Sequence, residues 1–171
     1  MQFAQLVDDD GILVLASARS LAARFHSRAY DYDFPKELVE GSQAEACCGW
    51  QSQEEGDVTI TIREPPEVPA ELPRGVHYLG CIDFQDGDEL LLLPYSQFTM
   101  ACAHGQGVPQ DVEGLSARFP FPAGRHACFA RVAPVRGDFD EAPPLVFNVF
   151  LREANGTAGS LPEVPVIARI S

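Results

Sequence analysis

The stretch from Leu115 to Glu153 constrains the fold more than any other part of the chain. It reads as three consecutive strands, Leu115–Phe121, Arg125–Ala133 and Leu145–Glu153, with Pro122, Ala123 and Gly124 forming the first turn. In the middle strand His126, Cys128, Ala130 and Val132 share one face, while Arg125, Ala127, Phe129 and Arg131 share the other. Side chains alternate across a strand, so a period of two identifies one. The last strand is apolar on both faces except at Asn148, which suits a strand deep in a sheet.

The rest of the chain repeats this texture. Phe3–Val7 and Gly11–Ala16 are expected to form a hairpin around Asp8-Asp9-Asp10-Gly11, since Asp-Gly favours tight turns. Ser17–Tyr30 fits either a helix capped by Ser17, with Ala18, Leu21, Ala22 and Phe25 on one face, or a continued strand. Lys36–Ala46 reads as loop or a short helical turn. Glu45–Gln53 and Asp57–Arg63 read as a strand pair, with Val58, Ile60 and Ile62 alternating against Thr59, Thr61 and Arg63. Prolines 65, 66, 69 and 73 mark an extended crossover. Val76–Phe84, Leu90–Leu93 with Tyr95–His104, and Val164–Ile170 complete the strands.

These elements predict one all-β domain over residues 1–171, an antiparallel β-sandwich with at most one or two short helices. The 171 residues bury about 70% of their unfolded surface, enough for a core without covalent staples. A repeat aligns 12–85 with 90–153, with Ile12–His26 and Leu90–His104 corresponding at a constant offset of 78. As a duplication it predicts two similar sheets about a pseudo-two-fold axis, although neighbouring hairpins also align in this way.

Charge narrows the function. The chain carries 25 acids against 12 bases. Residues 31–89 hold fifteen of those acids and only three bases, Lys36, Arg63 and Arg74. Phosphate backbones are repelled by such a surface, so no nucleic acid is expected as a direct partner. A basic protein is attracted. The N-terminal segment has no basic start or long apolar run, and the apolar runs Ile12–Ala16 and Leu90–Pro94 are too short to span a bilayer. The expectation is a cytoplasmic protein with reduced thiols and no membrane association.

Familiar catalytic motifs are absent: there is no Gly-x-Ser-x-Gly, His-Glu-x-x-His or phosphate-binding Gly-Lys-Ser/Thr. One mirrored pair invites a metal, Cys102-Ala-His104 and His126-Ala-Cys128. On adjacent antiparallel strands these four could present a tetrahedral set to zinc. Cysteines on apolar faces more often act as small hydrophobes, so no cofactor is expected.

The candidate partner-binding residues are acids with aromatics embedded among them. They are Asp31 and Asp33 beside Tyr30 and Tyr32, Trp50, Glu54 and Glu55, Asp86 and Asp88, and the run Asp138, Phe139, Asp140 and Glu141. An apolar anchor ringed by acids suits a basic partner. Alternatives remain: a small-ligand or carbohydrate-binding sandwich using Trp50 or Tyr32, and a metal or thiol enzyme using the Cys102/His126 group.

Cys48-Gly-Trp-Gln followed by Gly56 and the Val58–Ile62 strand, Tyr95-Ser-Gln-Phe, and Phe121-Pro-Ala-Gly before His126–Val132 resemble the competence protein J type of β-sandwich, inhibitors of a bacterial DNA-entry nuclease. The resemblance spans roughly residues 12–153. It implies a non-enzymatic cytoplasmic inhibitor or immunity-type protein that covers a nuclease or toxin. It transfers no particular functional residue.

Overall fold

Strands that alternate apolar and polar residues and strands that are apolar nearly throughout both occur in this chain, and they pack as two layers. The computed structural model describes residues 1–25, 33–52, 56–104, 115–133, 145–154 and 168–170. In chain order the elements are β1 (Gln2–Asp8), β2 (Ile12–Ser17), α1 (Ala18–Phe25), α2 (Phe34–Gln43), β3 (Cys47–Gln51), β4 (Gly56–Arg63), β5 (His77–Phe84), β6 (Glu89–Pro94), α3 (Tyr95–His104), β7 (Ala117–Pro120), β8 (Gly124–Val132), β9 (Leu145–Glu153) and β10 (Ala168–Arg169). One sheet runs β1-β4-β9-β8-β5 and the other β10-β3-β2-β6-β7. The all-β sandwich expected from the sequence is present, with three short helices among the described residues.

Strands β2 and β6 are apolar at nearly every position because both of their faces are covered. Leu13, Leu15, Leu90 and Leu92, together with Trp50 of β3, face the other sheet, where they meet Ile60, Phe147 and Val149. Val14, Ala16, Leu91 and Leu93 face outward and receive Leu21, Phe25, Leu38 and Phe98 from the three helices. No described helix covers the outer face of the first sheet, and β4 alternates strictly: Val58, Ile60 and Ile62 point inward while Thr59, Thr61 and Arg63 lie on the outer side.

Several local expectations change. Tyr95–His104 is a helix and not a strand. Pro94 ends β6, and Phe98 and Ala101, three apart, are buried as one helical face. Lys36–Ala46 contributes most of a ten-residue helix, started by Asp33, whose side chain accepts the Lys36 N–H at 3.2 Å. Ser17 resolves its own ambiguity: it ends β2, and its hydroxyl accepts the Ser20 N–H at 3.0 Å, capping α1.

The expected hairpins β1–β2 and β3–β4 do not form, because each of these pairs is split between the sheets. Instead β1 pairs with β4, β2 with both β3 and β6, and β4 runs parallel to β9. The β1–β2 connection is a crossing between layers, held by the buried carboxylate of Asp8. That group accepts the Ile12 N–H at 3.2 Å and the hydroxyl of Ser52. The β5–β6 connection uses the same device. Asp88, only 3% exposed, accepts the Ser17 hydroxyl at 2.6 Å, the Glu89 N–H at 2.7 Å and the Arg19 N–H at 3.1 Å. Gly11 (φ +65°) and Gly87 (φ +70°) take the left-handed conformation that both crossings need.

The pairing reads alike from both sides of each sheet. β1 is antiparallel to β4 as β5 is to β8, and β3 is antiparallel to β2 as β7 is to β6. In this correspondence β5 matches β1, and β9 stands alone at the centre of the first sheet. No helix among the described residues is long and apolar enough to cross a membrane.

Candidate functional site

The acids that dominated the sequence have been distributed by folding. Glu37 and Glu40 on α2 both accept from Arg24, at 3.0 and 2.7 Å. Glu45 is held by both Nε and a terminal nitrogen of Arg125, at 2.8 and 2.5 Å. Glu89 pairs with Arg118. A guanidinium thus answers each of these four carboxylates. The single acidic face implied by residues 31–89 is broken up accordingly.

Two of the predicted contact residues are corrected outright. Trp50 is 0% exposed, packed edge-on against Phe147 at 5.7 Å between the sheets. It cannot touch a partner while the sandwich is closed. Asp88 is consumed by its crossing. Asp33 is exposed at the start of α2, and Asp86 is exposed in the β5–β6 turn. Asp31, Glu54, Glu55, Asp138, Phe139, Asp140 and Glu141 lie outside the described residues, as do Tyr30 and Tyr32.

The zinc constellation also separates. Cys102 and His104 belong to α3, on the outer side of the second sheet, while His126 and Cys128 belong to β8 in the first. Residues two apart on a helix do not share a face, so the strand geometry behind the idea is gone. His126 is buried, with Nδ1 3.0 Å from the Gly124 carbonyl and its ring edge-on to Phe84 and Phe121. Cys128 meets Cys48 between the sheets. Their mutual hydrogen bond, together with burial, raises the Cys48 thiol well above its ordinary range, so it stays protonated. Among the described residues no group of three or more His, Cys, Asp or Glu could hold a metal.

What the described surface does offer is a charge surplus and an open edge. The exposed acids are Asp9, Asp10, Asp33, Asp57, Glu67, Glu71, Asp83, Asp86 and Glu153, nine in all among the described side chains, against the exposed bases Arg19, Lys36 and Arg74. Arg24, Arg63, Arg118, Arg125, Arg131 and Arg152 are half-buried. Three of the nine acids gather at one end of the sandwich. Asp9 and Asp10 follow β1, and Asp57 stands opposite Val7 at the start of β4. Ser52 and Gly56, which bracket Glu54 and Glu55, are both tied to Asp8 at this same end.

Beside these acids, β1 forms the margin of the first sheet. Ala4, Leu6 and Asp8 point inward and are buried; Phe3 (59%) and Val7 (41%) are exposed on the outer face. A shallow depression of about 210 Å³ is lined by Gln5, Leu6, Val7, Asp57, Val58 and Thr59. Phe3, Val7, Asp9, Asp10 and Asp57 are not among the contact residues expected from the sequence. One signal was available: β1 carries apolar residues at both parities, so one of its faces had to expose them.

A two-layer sandwich with helices over one sheet and an acidic, partly apolar margin on the other is the class that fold and surface define. No family model matches the chain, and no curated protein matches it. Among solved structures it is similar to crocagin biosynthetic gene J, with a TM-score of 0.50, 15% identity, and coverage of 87% of this chain and 96% of that one. It is also similar to ComJ of Bacillus subtilis, inhibitor of the DNA-degrading activity of NucA, with a TM-score of 0.46, 9% identity, and coverage of 88% and 94%. The family resembled in the sequence is therefore represented among the structural matches. At these identities the likeness is one of fold.

Proposed function

We propose that this chain is a non-enzymatic binding protein that masks a basic protein, such as a bacterial nuclease or toxin. The observation that carries the reading is the exposed charge balance, nine carboxylates against three basic side chains among the described residues. Folding pairs Arg24, Arg118 and Arg125 with carboxylates, and acids outnumber bases among the exposed side chains that remain. Such a surface speeds the approach of a cationic partner and repels nucleic acid that would compete for the partner's cleft. Glu54, Glu55 and the Asp138–Glu141 run remain part of the proposed contact set. ComJ's described role is of the same kind, but the reading rests on charge and not on that likeness.

The small-ligand alternative has lost support. Trp50 is in the core, and the depression of about 210 Å³ on β1 and β4 falls below the size usual for ligand pockets, about 300–1,000 Å³. The test is capture from the protein's own cells at low salt. The expected result is a basic protein that elutes as salt approaches about 1 M, where charges are screened beyond about 3 Å. The eluate should degrade DNA or poison cells until this protein is added back. Retention indifferent to salt, or no basic protein retained, would overturn the proposal.

A further inference from the structure

We infer that β1 is a strand-addition site: an extended segment of a basic partner pairs along its open side and continues the first sheet. The inference rests on the binding role proposed above and names the surface and the kind of segment. β1 keeps seven consecutive residues in register with β4, Gln2 opposite Ile62 through Asp8 opposite Gly56, without a bulge. No described strand pairs with its other side. Such an edge presents unpaired N–H and C=O groups, which proteins ordinarily blunt with lysine, proline, a bulge or a covering segment. β1 contains no lysine and no proline. It instead exposes Phe3 and Val7 on the outer face, flanking Gln5.

Charge complementarity selects the occupant. A strand laid beside β1 sets its outward side chains next to Phe3, Gln5 and Val7, about 5 Å away. Residues beyond its end reach Asp9, Asp10 and Asp57. The segment that fits has apolar residues at alternate positions and lysine or arginine at the end near Asp9. A second copy fits poorly. Antiparallel self-pairing centred on Gln5 brings Asp9 of one copy beside Met1 of the other, where Glu64 and Glu67 already sit around the amino group.

The probe is a synthetic peptide of about ten residues, alternating valine and threonine and ending in lysines, offered to the full-length protein. Binding should slow hydrogen exchange at the β1 amides and weaken about tenfold when the lysines are replaced by aspartates. Val7→Lys should weaken it by a similar factor, and Phe3→Ser, a milder change on the same face, should weaken it less. An unchanged melting temperature in either variant shows that the loss is not unfolding. Protection appearing elsewhere than β1, binding indifferent to both variants, or no binding would overturn the inference. So would a concentration-dependent dimer in ultracentrifugation that Val7→Lys abolishes, since β1 would then serve a second copy. The two readings fail separately. Salt-sensitive capture of a basic protein unaffected by Val7→Lys removes the strand-addition site alone. Peptide binding at β1 with no basic cellular protein captured removes the proposed function alone.

Discussion

β1 and β5 bound the first sheet on opposite sides, and the chain finishes them differently. β5 is broken by a register shift between Tyr78 and Gly80, where Gly80 has φ +144°. Its Asp83, opposite Arg125 of β8, donates its N–H to the Glu45 carbonyl at 2.9 Å. Glu45 is placed there by the way α2 ends. The Ala46 N–H reaches back to Gly41 and the Glu45 N–H to Ser42, which forces Glu45 to φ +54°. That is a Schellman ending with glutamate where glycine is usual. The strain is offset by the Arg125 fork on the Glu45 carboxylate, which holds it below its ordinary pKa of 4.5 against the opposing effect of burial. Among the described residues β1 has none of these devices. Two strands with the same inward job thus differ on their outer margins, and the difference marks β1 as the side left available.

The comparison breaks most visibly if the inward faces are unequal. Leu6→Ala on β1 and Ile82→Ala on β5 remove side chains that are 2% and 0% exposed. Each should cost about 2–5 kcal/mol in urea unfolding. A cost for Leu6→Ala near zero would mean that β1 is not docked and that its open edge has no significance.

Next come the buried carboxylates at the two crossings, which join each margin strand to the second sheet. Asp88→Ala strands the Ser17 hydroxyl and the N–H groups of Arg19 and Glu89, and should cost about 2–3 kcal/mol. Asp8→Ala should cost a comparable amount. A large inequality would show that the two crossings are not equivalent.

At the β5 margin, Glu45→Ala keeps the left-handed strain and loses the fork, while Glu45→Gly loses both. Glycine should therefore be the more stable of the two by about 1 kcal/mol. Glu45→Gln isolates the charge, and its cost at neutral pH should be within about 1 kcal/mol because the pair is partly exposed. The folded-state pKa is depressed, so this contribution is complete above the unfolded value. It disappears as pH falls below 4.5 and through the folded value, where wild type and Glu45→Gln should converge.

The smallest effect is on the open margin. Phe3→Lys should change unfolding stability by no more than about 0.5 kcal/mol, because the side chain is exposed in the free protein. A markedly larger loss would show that Phe3 packs on something and that the β1 face is already occupied.

The periodicities of this sequence determined which residues form strands and which of their faces are dry. Alternation in Val58–Arg63 and Arg125–Val132 marked strands with one dry face, while the coverage of Ile12–Ala16 and Leu90–Leu93 on both faces emerged only with the packed helices. The same logic misread Tyr95–His104, whose apolar residues satisfy either period, until Pro94 and the packing of Phe98 decided for a helix. Sequence could not say which strand joins which sheet. Alternation tells a strand which side faces the core and carries no information about its hydrogen-bond neighbour. Only the closed sandwich sent β1 to β4 and β2 to β6, and that assignment turned Asp8 and Asp88 into buried struts, put Trp50 out of reach and made β1 a margin. Net charge could be read in the chain. Where the charge stands free depended on which guanidinium groups folding brought within about 3 Å of which carboxylates, a matter of long-range geometry that no local pattern encodes.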